Sequence, residues 1–305
     1  MTITGVHTIM PTPFTATGRL DEESLARLTD FLIRLGVDGL TVLGVLGEAP
    51  KLSEAEQDRV VTVTVSAAAG RVPVYAGASA GGTDLGIMRG LRALELGAAG
   101  LLVAPATQND AAVTAQFTAL DAAIRHTGAQ VVIHDYPAAT GVRLSVALAL
   151  RLNRELESVT TIKLEEPPTG PKVRALKREA GAELAVLGGL GGTYLVEELE
   201  SGADGIMTGF SFPELLVRVV GAYRDGTAAQ RLAARDLFYR SCALLRYEFQ
   251  PGVGLAIRKE VYRRRGAIDD AHVRAPGAQV DDDLRRELDA VLEYARIPEW
   301  LTAEG

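Results

Sequence analysis

The chain has 305 residues, of which 47% are hydrophobic and 23% charged, so it is long and apolar enough to bury a large core. Its net charge of −7 argues against a nucleic-acid-binding surface, and its single cysteine, Cys242, excludes an intramolecular disulfide framework and suggests a reducing compartment. The amino terminus does not resemble a signal peptide, and no apolar run approaches the roughly 18 residues that a membrane span needs. We therefore expect a cytoplasmic protein with no nucleic-acid partner and no membrane partner.

Short apolar runs alternate with longer amphipathic segments up to about residue 225. The apolar runs predict eight strands, at Gly5–Ile9, Gly39–Leu43, Val72–Ala76, Gly100–Ala104, Gln130–His134, Val159–Lys163, Glu183–Leu187 and Asp204–Thr208. The segments between them predict helices, at Asp21–Leu35, Ser53–Ala69, Thr83–Leu96, Asp110–His126, Leu144–Arg154, Pro171–Glu179, Gly192–Glu200 and Pro213–Tyr223. Three further helices are predicted after the last strand, at Ala228–Phe249, Gly254–Arg265 and Asp281–Tyr294.

Residues that begin and end helices support these boundaries. Ser53 stands before a run that contains two acidic residues, which is the pattern of a helix N-cap whose first turn complements the helix dipole. Gly36, Gly97 and Gly202 stand where helices should end. Each of these glycines is followed by a short turn and a predicted strand, so the chain consists of repeated strand–helix units.

Eight strand–helix units in series predict a parallel sheet with right-handed crossovers, and eight is the number that closes a barrel. The rival is an open doubly wound sheet, which usually carries a glycine-rich phosphate loop after its first strand. Here the first strand leads into Pro11-Thr12-Pro13-Phe14 instead. We therefore predict a (β/α)8 barrel, or TIM barrel, over residues 1–225. Residues 226–305 are predicted to form a helical appendage that packs on the barrel as part of one structural unit.

Lys163 is the most informative residue for function because it ends the predicted buried strand Val159–Lys163. Catalytic groups of such barrels lie at the carboxyl ends of the strands. Burying an ammonium group is costly, and a lysine that is neutral there can form a Schiff base with a ketone. The structural alternative is an ion pair with Glu165 or Glu166. The other lysines lie beside charged or turn residues and are expected to be solvated: Lys51, Lys172, Lys177 and Lys259.

Further polar residues follow the other strands. His134 ends the strand before that of Lys163, so both side chains should reach the barrel mouth. Histidine suits the proton transfers of carbinolamine formation near neutral pH, although a structural role is the alternative. Asp135 or Glu165 is expected to orient this histidine or a water molecule. Further residues expected to bind substrate are Asp135, Glu165, Gly188, Gly189 and Thr208, with the two glycines leaving room for the substrate chain.

The second strand ends in a turn, Gly44-Val45-Leu46-Gly47-Glu48, in which the bare backbone of the glycines allows a ligand to approach. The N–H groups of Val45 and Leu46 are candidates for holding a substrate carboxylate. A tight turn without any ligand is the alternative. Glu48 is a candidate for capping a helix or for orienting another group.

These segments together resemble the dihydrodipicolinate synthase and N-acetylneuraminate lyase superfamily of class I aldolases and dehydratases. The resemblance spans nearly the whole chain, and the segments that carry it are Pro11–Phe14, Gly44–Glu48, Gly70–Val74, Pro137 with Thr140-Gly141, and Ile162-Lys163 with Glu165. It implies that Lys163 is the Schiff-base lysine and that the substrate is a 2-keto acid. It also implies that neither a cofactor nor a metal is needed and that the protein is a homotetramer or a dimer.

Four departures from the family pattern argue against a dihydrodipicolinate synthase. The two consecutive hydroxyl residues of the family's turn are Val45 and Leu46 here, and the tyrosine relay at the end of strand five is His134. The second tyrosine of the synthase, after strand four, falls where this chain has Ala106-Thr107. The arginine before the Thr-Gly pair is Ala139, which leaves a second substrate carboxylate without a bidentate partner.

Other segments resemble the branch of this superfamily that acts on 2-keto-3-deoxy sugar acids: His134–Pro137, Lys163–Pro167 and Gly252–Lys259. That resemblance implies a lyase in which Lys163 forms an imine and His134 is the acid/base. The substrate then loses its C4 hydroxyl by dehydration, or its C3–C4 bond breaks by aldol cleavage. Tyr136 is not expected to replace the missing relay, because it should point away along the strand.

Three alternatives stay open. The first is a synthase-like condensation with pyruvate. The second is a metal-assisted aldolase that uses His134, Asp135, Glu48 and Glu165, in which Lys163 would have no obvious role. The third is a non-catalytic sensor of sugar acids that has kept the barrel and lost its proton relay.

Overall fold

Eight parallel strands form a closed barrel in the computed structural model, which describes residues 3–296, and each strand pairs with its neighbours in sequence order. The strands are β1 Gly5–Ile9, β2 Gly39–Val42, β3 Val74–Gly77, β4 Gly100–Val103, β5 Gln130–Asp135, β6 Val159–Leu164, β7 Ala185–Gly188 and β8 Gly205–Thr208. The helices are α1 Glu22–Arg34, α2 Glu54–Ala68, α3 Thr83–Glu95, α4 Asp110–Ile124, α5 Pro137–Thr140, α6 Val146–Glu155, α7 Thr169–Ala180, α8 Leu195–Glu200, α9 Pro213–Asp225, α10 Ala228–Glu248, α11 Gly254–Arg264 and α12 Asp282–Ala295. The predicted (β/α)8 barrel is confirmed.

Apolar side chains cover both faces of the sheet. Alternate residues of the strands, among them Ile9, Leu102, Val132 and Leu187, form a small cluster inside the barrel. The residues between them pack against the surrounding helices in the main core. Because both faces of each strand are buried, the strands are almost continuous apolar runs, which is why the sequence pattern predicted them.

The predicted helix boundaries follow from local chemistry. The Ser53 hydroxyl accepts the Glu56 N–H at 3.3 Å, and the Glu56 carboxylate accepts the Ser53 N–H at 2.9 Å, which is a capping box. Gly36, Gly97 and Gly202 follow α1, α3 and α8 with φ angles of 84°, 99° and 97°, a left-handed conformation that favours glycine. Among the helices of residues 3–296, none is long and apolar enough to cross a bilayer.

The helices after α9 contact the carboxyl end of the barrel. The Tyr262 hydroxyl of α11 donates to the Phe210 carbonyl at 3.0 Å, just beyond β8. The Glu248 carboxylate at the end of α10 accepts the Ser211 N–H at 3.1 Å. The predicted division at residue 226 falls in the short link between α9 and α10. The appendage therefore lies at the end of the barrel where the strand-end residues gather.

Lys259 of α11 is fully buried, so the expectation that it is solvated was wrong. Its ammonium donates to Glu48 Oε1 at 2.6 Å and to the His272 carbonyl at 2.7 Å, and it lies 4.5 Å from the centre of the Phe14 ring. Burial lowers the pKa of Lys259 to about 8, against the opposing effect of the Glu48 carboxylate. The neighbouring residues in the sequence did not reveal this burial, because the carboxylate that Lys259 contacts belongs to Glu48, 211 positions away.

Candidate active site

A cavity of about 60 Å³ opens at the carboxyl end of the barrel, and Lys163 and His134 both line it. Other lining residues that the sequence predicted are Gly44, Val45, Leu46, Glu165 and Thr208. Two larger cavities, of about 270 and 760 Å³, lie beside α2 and α3 and beside the start of α7. Neither of them contains a lysine, so chemistry rather than size selects the cavity at the barrel mouth.

Lys163 and His134 lie side by side on adjacent strands of the barrel. They are register partners in the parallel pair of β5 and β6, and both side chains are buried. Lys163 Nζ lies 3.2 Å from Glu165 Oε1. The structural alternative for Lys163, an ion pair with Glu165, is thus present, and it coincides with a position inside the cavity.

Glu165 links the two residues through its carboxylate. Its Oε2 lies 3.1 Å from His134 Nε2, and its Oε1 accepts the Leu190 N–H at 2.9 Å. Burial would raise the pKa of Glu165, but the Lys163 charge, the His134 hydrogen bond and the Leu190 N–H outweigh it and lower this pKa to about 2. Because the carboxylate is ionised, we assign the His134 ring proton to Nε2.

Glycine at position 189 makes this arrangement possible. A Cβ there would lie 2.2 Å from Glu165 Oε1. The space at Gly188 is likewise filled, since a Cβ there would lie 1.8 Å from Glu198 Oε2. The prediction that these two glycines leave room for the substrate chain was therefore wrong, because protein carboxylates occupy both spaces.

His134 is held as a neutral ring. Burial and then the Lys163 charge lower its pKa, against the opposing effect of Glu165. Its ring stacks on Tyr136 with 5.5 Å between ring centres and 24° between planes, and Tyr136 lines the cavity. The prediction that Tyr136 points away was wrong, because residues two apart along a strand face the same side, and Tyr136 follows His134 by two positions, one residue beyond the end of β5.

The turn after β2 places its backbone at the cavity. Within the turn, the Gly47 N–H donates to the Gly44 carbonyl and the Glu48 N–H donates to the Val45 carbonyl. The N–H groups of Val45 and Leu46 take no part in these two hydrogen bonds. Val45 lines the cavity but is 61% exposed, so most of this residue faces solvent. Gly47 is buried within the turn, where its carbonyl accepts the Thr12 hydroxyl at 2.7 Å, and does not line the cavity.

Asp135 is not part of the cavity, so the prediction that it orients His134 or binds substrate was wrong. Adjacent residues of a strand face opposite sides, and His134 faces the barrel interior. The Asp135 carboxylate instead accepts the Lys172 ammonium at 2.6 Å, and Lys172 also donates to Glu166 at 2.7 Å. Lys172, expected to be solvated, is therefore mostly buried in a structural ion-pair cluster.

The four residues of the metal-assisted alternative do not come together. Glu48 is bound by Lys259 at 2.6 Å and by Lys51 at 2.9 Å, and Asp135 faces the outer side of the barrel. Among the described residues, no group of three or more histidine, cysteine, aspartate or glutamate side chains is arranged to hold a metal ion.

Besides Tyr136, sequence reasoning missed six lining residues: Ile9, Leu102, Gly191, Gly209, Phe249 and Arg258. Gly191 is required next to Phe249, because a Cβ there would lie 2.5 Å from the ring. Arg258 is 5% exposed, and its Nε lies 3.5 Å from Glu248 Oε2. The segment Gly252–Lys259 contributed to the resemblance, but nothing in its local pattern indicates that one of its residues reaches the barrel mouth.

Comparison with known proteins agrees with this geometry. The family model of the dihydrodipicolinate synthetase family matches residues 2–295. An L-2-keto-3-deoxyarabonate dehydratase from Azospirillum brasilense is 31% identical over 296 residues, which cover 94% of this chain and 93% of that protein. A dihydrodipicolinate synthase structure from Rhodopseudomonas palustris is 37% identical, with a TM-score of 0.89 over 96% of this chain and 97% of that one. YagE from E. coli K12, solved in complex with pyruvate, is 25% identical, with a TM-score of 0.86 over 96% of this chain and 99% of that one.

The match covers the barrel and the appendage alike, so it is not confined to a common barrel core. It confirms the resemblance stated from the sequence motifs, together with the predicted enzyme class, a lyase of the class I aldolase type. With a family model that spans almost its whole length, this chain belongs to the dihydrodipicolinate synthetase family.

Proposed function

We propose that this protein is a Schiff-base-forming lyase that dehydrates a 2-keto-3-deoxy sugar acid. The observation that carries the proposal is the chain of contacts from Lys163 through Glu165 to His134 inside one small cavity. The similarity to an L-2-keto-3-deoxyarabonate dehydratase supports the dehydration rather than the aldol cleavage.

In the proposed reaction, the Lys163 ammonium first releases a proton to solvent, its amine attacks the C2 carbonyl of the keto acid, and the carbinolamine takes up a proton and loses its oxygen as water to give a protonated imine. Loss of a C3 proton converts the imine to an enamine. The enamine electrons expel the C4 hydroxyl, which takes up one proton and leaves as water. A water molecule then hydrolyses the imine and returns the lysine amine, so the net reaction is the loss of one water.

Glu165 and His134 have distinct roles in this proposal. The ionised Glu165 carboxylate stands 3.2 Å from Lys163 Nζ, where it would stabilise the positive charge of the protonated imine. It also fixes the His134 ring through Nε2, which leaves Nδ1 as the basic nitrogen. We assign the proton transfers to the His134 ring. Tyr136, stacked on that ring, is a second candidate for the relay.

The alternative that a specific observation favours is a condensation with pyruvate, because the chain is also 37% identical to a protein described as a dihydrodipicolinate synthase. Against it stands Ala139 at the position of the synthase's arginine. Both activities use the same imine, so the trapping experiment tests their common step and the products separate them.

The test is incubation with pyruvate and borohydride, followed by intact-mass measurement. We expect a reduced adduct on wild type and none on Lys163→Arg, which keeps the charge; Lys177→Arg is the matched control and should still be trapped. Absence of an adduct at saturating pyruvate would refute the imine. An adduct combined with failure both to turn over 2-keto-3-deoxy sugar acids and to condense pyruvate with an aldehyde would favour the non-catalytic sensor. Release of pyruvate with an aldehyde, instead of a dehydrated keto acid, would indicate aldol cleavage.

A further inference from the structure

We propose that Arg258 binds a carboxylate of the keto acid in this cavity, so that the appendage supplies part of the substrate site. The proposal rests on the proposed function, because it needs a keto acid at Lys163. For a substrate carboxylate, the resemblance to the dihydrodipicolinate synthase superfamily implies hydroxyl side chains in the turn after β2, and this chain has Val45 and Leu46 there.

Arg258 keeps hydrogen-bonding capacity although it is buried. It lies on α11 and lines the same cavity as Lys163 and His134. Its Nε has no hydrogen-bond partner among the described residues, and its nearest carboxylate oxygen, Glu248 Oε2, is 3.5 Å away. Charge-assisted hydrogen bonds are usually about 2.7–2.9 Å long. A buried donor without a partner is costly, and a ligand that supplies an acceptor relieves that cost.

The Glu248 carboxylate is engaged elsewhere. It accepts the Ser211 N–H at 3.1 Å and also the Ser211 hydroxyl. Glu248 is therefore held against the loop after β8 and does not form the forked pair that a guanidinium makes with a free carboxylate. The remaining donors of Arg258 are available to a second anion.

The charges around the cavity select a carboxylate as that anion. The Lys163 amine is used up in the imine, and His134 is neutral because burial lowers its pKa. The side chains of Val45 and Leu46 carry no hydrogen-bond donors. Apart from the protonated imine itself, Arg258 is then the cation among the lining residues that the structure describes. A 2-keto acid brings a carboxylate into a cavity of about 60 Å³, where an unpaired anion would be costly.

The competing explanation is that Arg258 only balances the buried charge of Glu248. In that case its loss would disturb the cavity for every ketone, charged or not. If Arg258 binds the substrate, its removal should weaken the binding of charged ketones and leave that of uncharged ketones unchanged. Pyruvate and methyl pyruvate separate the two, because they share the keto group and differ in the carboxylate.

The experiment measures how the rate of borohydride trapping depends on ketone concentration, for wild type, Arg258→Met and the matched control Arg264→Met, which changes an arginine of the same helix that does not line the cavity. A charged hydrogen bond is worth about 1.5–3 kcal/mol, so we expect the half-saturating pyruvate concentration to rise roughly 10- to 100-fold in Arg258→Met. Methyl pyruvate should give the same half-saturation in all three proteins.

2-Oxoglutarate, with a second carboxylate, locates the anchor. If Arg258→Met raises the half-saturating concentration of pyruvate, Arg258 binds the carboxylate next to the keto group. If it raises that of 2-oxoglutarate alone, Arg258 binds the distal carboxylate. Unchanged half-saturation for both acids, or an equal loss for methyl pyruvate, would overturn the proposal. If Arg258→Met does not fold, the pair Arg258→Met with Glu248→Gln removes both buried charges and permits the same comparison. Absence of an adduct in wild type would instead refute the proposed function.

Discussion

The ion pair between Glu48 and Lys259 should stabilise the fold by a coupling that can be measured directly. It joins the end of the β2 turn to α11, and its side chains are 1% and 0% exposed. Removing one partner of a buried pair typically costs about 3–5 kcal/mol, because it leaves the other charge uncompensated, whereas removing both can be nearly neutral. The three variants to compare are Lys259→Met, Glu48→Gln and the double variant.

The two single changes should differ, because the partners left behind differ. Without Lys259, Glu48 still accepts hydrogen bonds from the Lys51 ammonium at 2.9 Å and from the Arg274 N–H at 3.1 Å. We therefore expect the free energy of unfolding to fall by about 3 kcal/mol, the low end of that range. In Glu48→Gln, the Lys259 ammonium loses its carboxylate partner and keeps only neutral acceptors, the glutamine oxygen and the His272 carbonyl, so we expect the free energy of unfolding to fall by about 5 kcal/mol at pH 7. The double variant should lose about 1 kcal/mol.

Urea denaturation followed by circular dichroism gives these free energies of unfolding. The control is Glu22→Gln, which removes an exposed pair with Arg59 and should cost at most about 1 kcal/mol. Because the pKa of Lys259 in the folded protein is about 8, its ammonium is largely neutral at pH 9, and the cost of Glu48→Gln should shrink there. A double variant that loses the sum of the two single effects would refute the reasoning, because it would mean that the charges are not coupled.

Two buried titratable groups predict stability changes of opposite sign with pH. Burial lowers the pKa of His7 from 6.5 to about 4, so the unfolded chain binds this proton first and wild type should lose about 2 kcal/mol between pH 7 and pH 5; His7→Gln should flatten that slope in urea unfolding. Burial raises the pKa of Glu198 from 4.5 to about 8, so the stability that its protonated form provides is lost as pH rises through that range. The free energy of unfolding of Glu198→Gln should therefore exceed that of wild type by about 3 kcal/mol at pH 7 and match it at pH 4. Slopes that are parallel to wild type would contradict either prediction.

The fold was predictable because a parallel barrel covers both faces of every strand. Runs such as Val131–Ile133 are apolar throughout, so their positions are visible without knowledge of their neighbours. Lys163 and His134 were predictable for a related reason. Both end such runs on adjacent strands, and adjacent parallel strands end at the same edge.

The errors have two different physical origins. Asp135 was misplaced although the sequence contained the answer, since strand alternation forbids it from facing the same side as His134. Arg258 and Lys259 were beyond local reasoning, because their burial depends on a helix that returns to the barrel after more than two hundred residues. Charged residues in a charged segment look solvated until tertiary packing covers them.

Arg258 and Lys259 are neighbours on α11, and this adjacency connects the stability of the fold to the site. Successive residues on a helix point in different directions, so one side chain reaches the cavity while the other reaches Glu48 after the β2 turn. The same helix therefore fixes both the turn that carries the N–H groups of Val45 and Leu46 and the Arg258 guanidinium, and all three residues line one cavity. If α11 shifts when the buried pair is broken, both candidate carboxylate contacts move together. Lys259→Met should consequently weaken pyruvate trapping although Lys259 does not line the cavity, and it should do so without affecting the trapping of methyl pyruvate to the same extent.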